Sequence, residues 1–165
     1  MTTNAHEAAK NQFQVQGRVK VIQGSILQPH NAGLRIVLNF ANLSGKIDGP
    51  IYAVWAKKWN QIQKEVKGAY AQKTGAYKLG TIACTTAVQS DVWAVSLLCQ
   101  DDKLKTDVKA LEASLKEVCK MAKSEQASVH ISSFLVDIVP ELQELAQKTL
   151  VENGISVNYY EEPSE

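Results

Sequence analysis

No run of apolar residues in this chain reaches the roughly 18 that a membrane helix requires. The first twelve residues, MTTNAHEAAKNQ, hold no hydrophobic segment, so no secretory signal is expected. Cys84, Cys99 and Cys119 are odd in number and far apart, without the CxxC spacing of zinc or redox sites. They read as buried small hydrophobes in a reducing compartment, which places the expected location in the cytosol or nucleus. Neither sign of charge is in excess: 18 basic residues face 17 acidic ones, a net charge of +1. That balance argues against broad electrostatic binding of nucleic acid, which needs a basic face. Free nucleotides stay open, because one oriented loop can hold them. There is no Walker loop, no Ser-His-Asp set and no zinc spacing, so no metal or cofactor is expected.

What the chain does have is enough length and apolar content for one core. At 165 residues and 45% hydrophobic content it reads as a single globular domain. Residues 1–12 are polar and alanine-rich and read as a tail, 13–161 as the domain, and 162–165 as a frayed acidic end. Phe13 to Ile22 alternates, which suggests two short strands interrupted at Gly17. A loop from Gln28 to Gly33 leads into a strand at Leu34 to Leu38. Ile51, Trp55, Trp59, Ile62, Val66 and Tyr70 recur three or four apart, giving a helix over 51–72 whose lysines, Lys57, Lys58, Lys64 and Lys67, face solvent.

Thr81 to Ala87 and Val92 to Cys99 read as a hairpin about Gln89-Ser90-Asp91. A helix is expected over 104–123, a strand from Ser128 to Phe134 and a helix from Pro140 to Val151 ended by Asn153-Gly154. The last strand runs from Ile155 to Tyr160. Strands alternating with helices of this length imply a mostly parallel sheet covered on both faces, made mixed by the hairpin. In such sheets ligands sit beyond the carboxyl ends of the parallel strands. Here these are near Gly24–Ser25, Asn39–Asn42 and Phe134–Asp137.

The most informative stretch is 36–59, IVLNFANLSGKIDGPIYAVWAKKW. An apolar run ends in two asparagines, a loop carries Gly45, Asp48, Gly49 and Pro50, and a helix starts at Ile51. Unpaired N–H groups at a helix N-terminus favour an anion, and Pro50 suits the first helical position. The same residues also make an ordinary βα turn, so both readings stand. Asn39 and Asn42 are either turn caps or amides for ribose hydroxyls. Asp48 either caps the helix or orients a ribose or a water.

With the elements in this order, the chain resembles a macro domain, the module that binds ADP-ribose. Gly24-Ser25-Ile26 matches the family's G-D-I step, and Val37-Leu38-Asn39-Phe40-Ala41-Asn42 matches its I-V-N-A-A-N segment. Asp48-Gly49-Pro50-Ile51 stands at its first phosphate loop. The helix that follows is similar to that of viral macro domains, and Val92 to Val118 resembles the branch with terminal ADP-ribose protein glycohydrolase. The resemblance implies a three-layer α/β/α fold with a mixed, mostly parallel six-stranded sheet. It implies ADP-ribose or a related nucleotide as ligand, with an ADP-ribosylated protein as possible target. Gly24, Ser25, Ile26, Asn39, Asn42, Gly49, Pro50, Ile51, Ser133, Phe134, Val136 and Tyr160 would line the cleft. Asn42, Asp48 and Asp137 would serve any hydrolysis.

The departures carry information of their own. Ser25 is neutral where the family has an aspartate for the adenine amino group. Pro50 removes an N–H from the first loop. The second loop, Ser132 to Ile138, has no glycine, although wrapping a diphosphate asks for backbone conformations that Leu, Val and Ile reach poorly. Gln100 stands where the glycohydrolase branch has its attacking lysine, and Lys103 lies three residues on. Of Tyr159 and Tyr160, alternation lets one face the site, and Tyr160 is expected to stack on the adenine. His130, mid-strand, reads as a hydrogen-bonded core residue, and Asp101-Asp102 as capping residues. A degenerate fold that has lost the nucleotide and binds protein or nucleic acid is the competing reading.

Overall fold

The computed structural model describes residues 17–44, 55, 58, 59, 61, 62, 64 and 78–162. The 45–51 loop, with Asp48, Gly49, Pro50 and Ile51, lies outside the described residues, as do most of the expected 51–72 helix and the expected strand at Phe13 to Val15.

Among the described residues, six strands form one mixed sheet: β1 (Val19–Gln23), β2 (Arg35–Asn42), β3 (Ile82–Gln89), β4 (Val92–Gln100), β5 (Ser128–Ser132) and β6 (Val157–Glu161). Their spatial order is β1-β6-β5-β2-β4-β3. All neighbouring pairs are parallel except β3 with β4, which is the hairpin read from the sequence, turned at Ser90–Asp91. Asp91 takes φ 57°, the left-handed region that aspartate tolerates better than most residues. β2 is buried from Ile36 to Asn42, as its unbroken apolar run requires of a central strand covered on both faces. β1, on the margin of the described sheet, leaves Val19 and Val21 exposed.

Three helices follow the hairpin: α1 (Val108–Glu125), α2 (Ser133–Ile138) and α3 (Glu141–Thr149). α1 buries Leu111, Leu115, Val118, Cys119 and Ala122 against β4 and α3, as the helical period from Leu111 onward implies, while Leu104 and Val108, expected on the same stripe, are exposed. Trp55, Trp59 and Ile62 are buried too, Trp59 N–H donating to Trp55 O, with the two indoles edge to face at 6.0 Å. Trp59 Nε1 donates to Gln89 Oε1 at 3.3 Å and Lys58 Nζ to Leu27 O at 2.6 Å, which ties this segment to β3 and to the turn after β1.

Several boundaries differ from expectation, each for a local reason. α1 starts at Val108, because Asp107 accepts from Ala110 N–H at 3.0 Å and caps it, while Leu104 sits at φ 66° outside any helix. The cap is therefore Asp107, not Asp101 or Asp102. β5 stops at Ser132, whose hydroxyl accepts from Phe134 N–H at 3.2 Å and opens α2. α3 ends at Thr149, and a 3₁₀ turn (Val151–Asn153) carries the chain to Gly154 at φ 90°. β2 runs through both asparagines instead of ending at Leu38. Glu161 is a strand residue and Glu162 is hydrogen-bonded, so the chain is ordered through the start of its acidic end.

Candidate functional site at the strand tips

The carboxyl ends of β1, β2, β4, β5 and β6 all lie on one side of the sheet, as parallel registers demand. At the β1 tip, Gly24 N–H donates to Glu161 O at 3.1 Å. A tight turn follows, with Leu27 N–H on Ser25 Oγ at 3.1 Å and Gln28 N–H on Ser25 O at 3.0 Å. Ile26 is buried, and its N–H donates to Glu162 Oε1 at 2.9 Å.

Within β2, three residues before its carboxyl end, Asn39 is 2% exposed. Its Oδ1 accepts from Phe40 N–H at 2.8 Å, but its Nδ2 is buried without a partner. Nearly all buried polar groups are paired, so an orphaned amide donor asks for an explanation, and a missing acceptor is the simplest. Asn42 is differently used. Its Oδ1 accepts from Ser44 N–H at 3.0 Å and Ser44 Oγ at 2.5 Å, an Asx turn that ends the strand. A register shift between Ala41 and Asn42 sets Asn42 opposite Gln100, whose carbonyl accepts from Leu43 N–H at 3.0 Å.

At the β4 tip, Gln100 Nε2 donates weakly to Thr106 Oγ1 at 3.4 Å. Asp101 Oδ1 accepts from Lys103 N–H at 2.8 Å and Lys105 N–H at 2.9 Å. These bonds, that from Lys105 first, hold its carboxyl below the ordinary range. Asp101 thus ties a loop, and Lys103 rides exposed upon it.

The glycine-free segment after β5 is a helix. Without φ > 0 residues it cannot wrap a phosphate as a loop, and Ser132 caps it into α2 instead. Leu135 turns into the core, Ser133 and Val136 are half-buried, Asp137 is exposed, and Phe134 shows 39% of its surface.

Tyr160 sits elsewhere than a stacking residue would. It is wholly buried, and its hydroxyl accepts from His30 N–H at 2.8 Å and lies 2.7 Å from His130 Nδ1. A buried phenol needs an acceptor for its own proton, and His130 Nδ1 supplies it. That assigns the His130 proton to Nε2, which donates to Ser128 Oγ at 2.7 Å. Burial, then the charges of Arg35 and His30, push the His130 pKa down to about 3, so the imidazole stays neutral. Burial raises the Tyr160 pKa likewise, against hydrogen bonds from Asn158 and the His30 amide. His130 is the hydrogen-bonded core residue its strand position suggested. Tyr160 is core as well, which removes it from the expected adenine platform.

Two features escaped the sequence reading. Strand alternation places Ser128, His130, Asn158 and Tyr160 on one face, a signal available in principle from period two. Nothing local to Glu162 marks it as a partner of Ile26, 136 residues away. Burial also raises the thiols, Cys84 to about 11 and Cys99 to about 12, which makes them poor nucleophiles. Among the described residues, no three His, Cys, Asp or Glu side chains gather as a metal site would need. Two hollows there lie off the strand tips. One of about 430 Å³ sits beside Ser128, Lys123 and Ser156, and one of about 480 Å³ lies between α1 and α3.

No family model and no curated protein matches the chain. Solved structures do. A macrodomain protein from Streptomyces coelicolor superposes with a TM-score of 0.81 at 18% identity, over 88% of this chain and 100% of that one. An Oceanobacillus iheyensis macrodomain, solved with ADP, gives 0.65 at 12% identity, over 92% and 86% of the two chains. Thermosipho africanus DarTG in complex with ADP-ribose gives 0.60 at 12% identity, over 77% of this chain and 38% of that one. Identities this low speak for architecture alone, and the architecture of this chain is that of a macrodomain.

Proposed function

We propose that the chain is a binding module for ADP-ribose or a related nucleotide, seated at the tips of β1, β2 and β5. The observation that carries this reading is Asn39: a buried amide in the carboxyl half of the central strand whose Nδ2 has no acceptor. A ribose hydroxyl is an acceptor of the right kind. Two proteins of the same fold, solved with ADP-ribose and with ADP, support the choice of ligand. In this reading Gly24, Ser25 and Ile26 border one end of the ligand, and Asn42 closes the strand tip beneath it. The amides of Gly49 and Ile51, with Pro50 between them in the sequence, are the proposed phosphate donors, and Ser133, Phe134 and Val136 complete the proposed lining. Phe134 offers the exposed ring that Tyr160 does not.

Removal of ADP-ribose from a modified protein is the catalytic extension of the same reading. Gln100 has no amine with which to attack the ribose carbon. Hydrolysis would therefore run through a water held by Asn42 and Asp48, with Asp137 as base. The competing reading, an interaction module without nucleotide, is favoured by the use of Asn42 as a turn former and by the burial of Tyr160.

Calorimetric titration with ADP-ribose separates the two. Micromolar binding, about −8 kcal/mol, that weakens at least about tenfold in Asn39→Ala supports the first; no heat at millimolar ligand leaves the second in front. Incubation with an ADP-ribosylated protein, against an Asp137→Ala control, tests hydrolysis: product released equally by both removes Asp137 from the reaction.

A further inference from the structure

We propose that Glu162 is an intrachain competitor for the ligand, holding the Ile26 amide until a nucleotide displaces it. The inference rests on the strand tips being the nucleotide site. An N–H has one proton to give. That of Ile26, in a residue 2% exposed, is given to Glu162 Oε1 at 2.9 Å. A bond to an ionised carboxylate is roughly twice as strong as one to a neutral acceptor. A ring nitrogen or hydroxyl of a ligand cannot take this amide while Glu162 holds it.

The surrounding geometry lets Glu162 leave without unbuilding the tip. The turn is closed by Leu27 and Gln28 donating to Ser25, and neither bond involves Glu162. β6 is anchored one residue earlier: Gln23 pairs with Glu161, Gly24 N–H donates to Glu161 O, and the Gln23 side chain bonds the Glu161 carboxylate. Glu162 is the first residue past that anchor and is half-buried. Rotation of one side chain opens the amide and breaks no ladder bond. The two carboxylates at this tip, Glu161 and Glu162, also repel a polyanion. They steer the phosphates of a ligand toward the β2 and α2 side and reserve the β1 tip for its neutral end.

The test reads the latch and the ligand separately. In ¹⁵N-labelled protein, Glu162→Ala should move the Ile26 amide resonance and speed its hydrogen exchange at least about tenfold. The same variant should bind ADP-ribose more tightly, by roughly three- to thirtyfold, with Glu162→Gln between it and the parent. An Ile26 amide that exchanges alike in parent and Glu162→Ala overturns the latch, whatever binds. Weaker ADP-ribose binding in Glu162→Ala also overturns it, since Glu162 would then be a ligand contact. A freed amide with no ADP-ribose binding to either protein refutes the nucleotide reading, and the competitor role falls with it.

Discussion

Replacing Tyr160 by phenylalanine removes one oxygen and leaves the ring in place, so no cavity complicates the result. Two close hydrogen bonds go with that oxygen, from His30 N–H at 2.8 Å and to His130 Nδ1 at 2.7 Å, and with them a long one from Asn158 Nδ2 at 3.5 Å. His130 is wholly buried, and its Nδ1 is left without a partner, a loss of about 1–3 kcal/mol. A change of tautomer gives no relief, since a proton on Nδ1 would be equally unpaired. His30 is exposed, so water can serve its N–H and the second loss stays near about 0.5–1 kcal/mol. The expected destabilisation is therefore about 1.5–4 kcal/mol. For a chain of this size that lowers Tm by roughly 3–16 °C, with an unchanged urea m-value if only the bonds are lost. Affinity for ADP-ribose should stay within about twofold, because Tyr160 touches no ligand in this account. Parent-like stability with abolished binding would refute the reasoning: Tyr160 would then be a ligand residue after all.

Three further outcomes follow from particular contacts. The folded chain keeps His130 neutral down to about pH 3, whereas an unfolded histidine binds its proton near 6.5. Stability should therefore be lost as pH falls from 6.5 toward 3, by about 1.4 kcal/mol per unit from this group. Urea titrations at pH 6.5 and 5 should show that slope, and His130→Gln should flatten it. Gly17→Ala builds a Cβ 2.0 Å from Ile155 O, a clash with backbone that no rotamer relieves, so thermal melts should fall by more than about 2 kcal/mol. Asp107→Ala removes the cap bond to Ala110 N–H and should cost about 0.5–2 kcal/mol by denaturant titration, with ligand affinity intact.

Much of this was legible in the residues because the signals were local. The hairpin announced itself through two β-rich runs about Ser90–Asp91, and α1 through apolar residues from Leu111 to Ala122 at helical spacing. The element order from β1 to β6 then implied a parallel sheet and put the interesting side at the strand ends. The misreadings share a cause. Ser128 to Phe134 reads as one strand, since Phe134 carries no mark that Ser132 will bend the chain into a helix. Tyr160 and Tyr159 are indistinguishable in sequence, and the tertiary structure buries both, Tyr159 at 8% exposure and Tyr160 at 0%.

Period and composition thus determined the elements and their order, since both depend on residues a few positions apart. Tertiary structure alone decided the chemistry of the tips. Whether Asn39 keeps an unpaired donor, whether Tyr160 meets His130, and whether Glu162 reaches Ile26 all depend on strands far apart in the chain arriving side by side. Hydrogen bonds are satisfied by whatever stands within about 3 Å, and that distance is set by the sheet, not by position along the sequence.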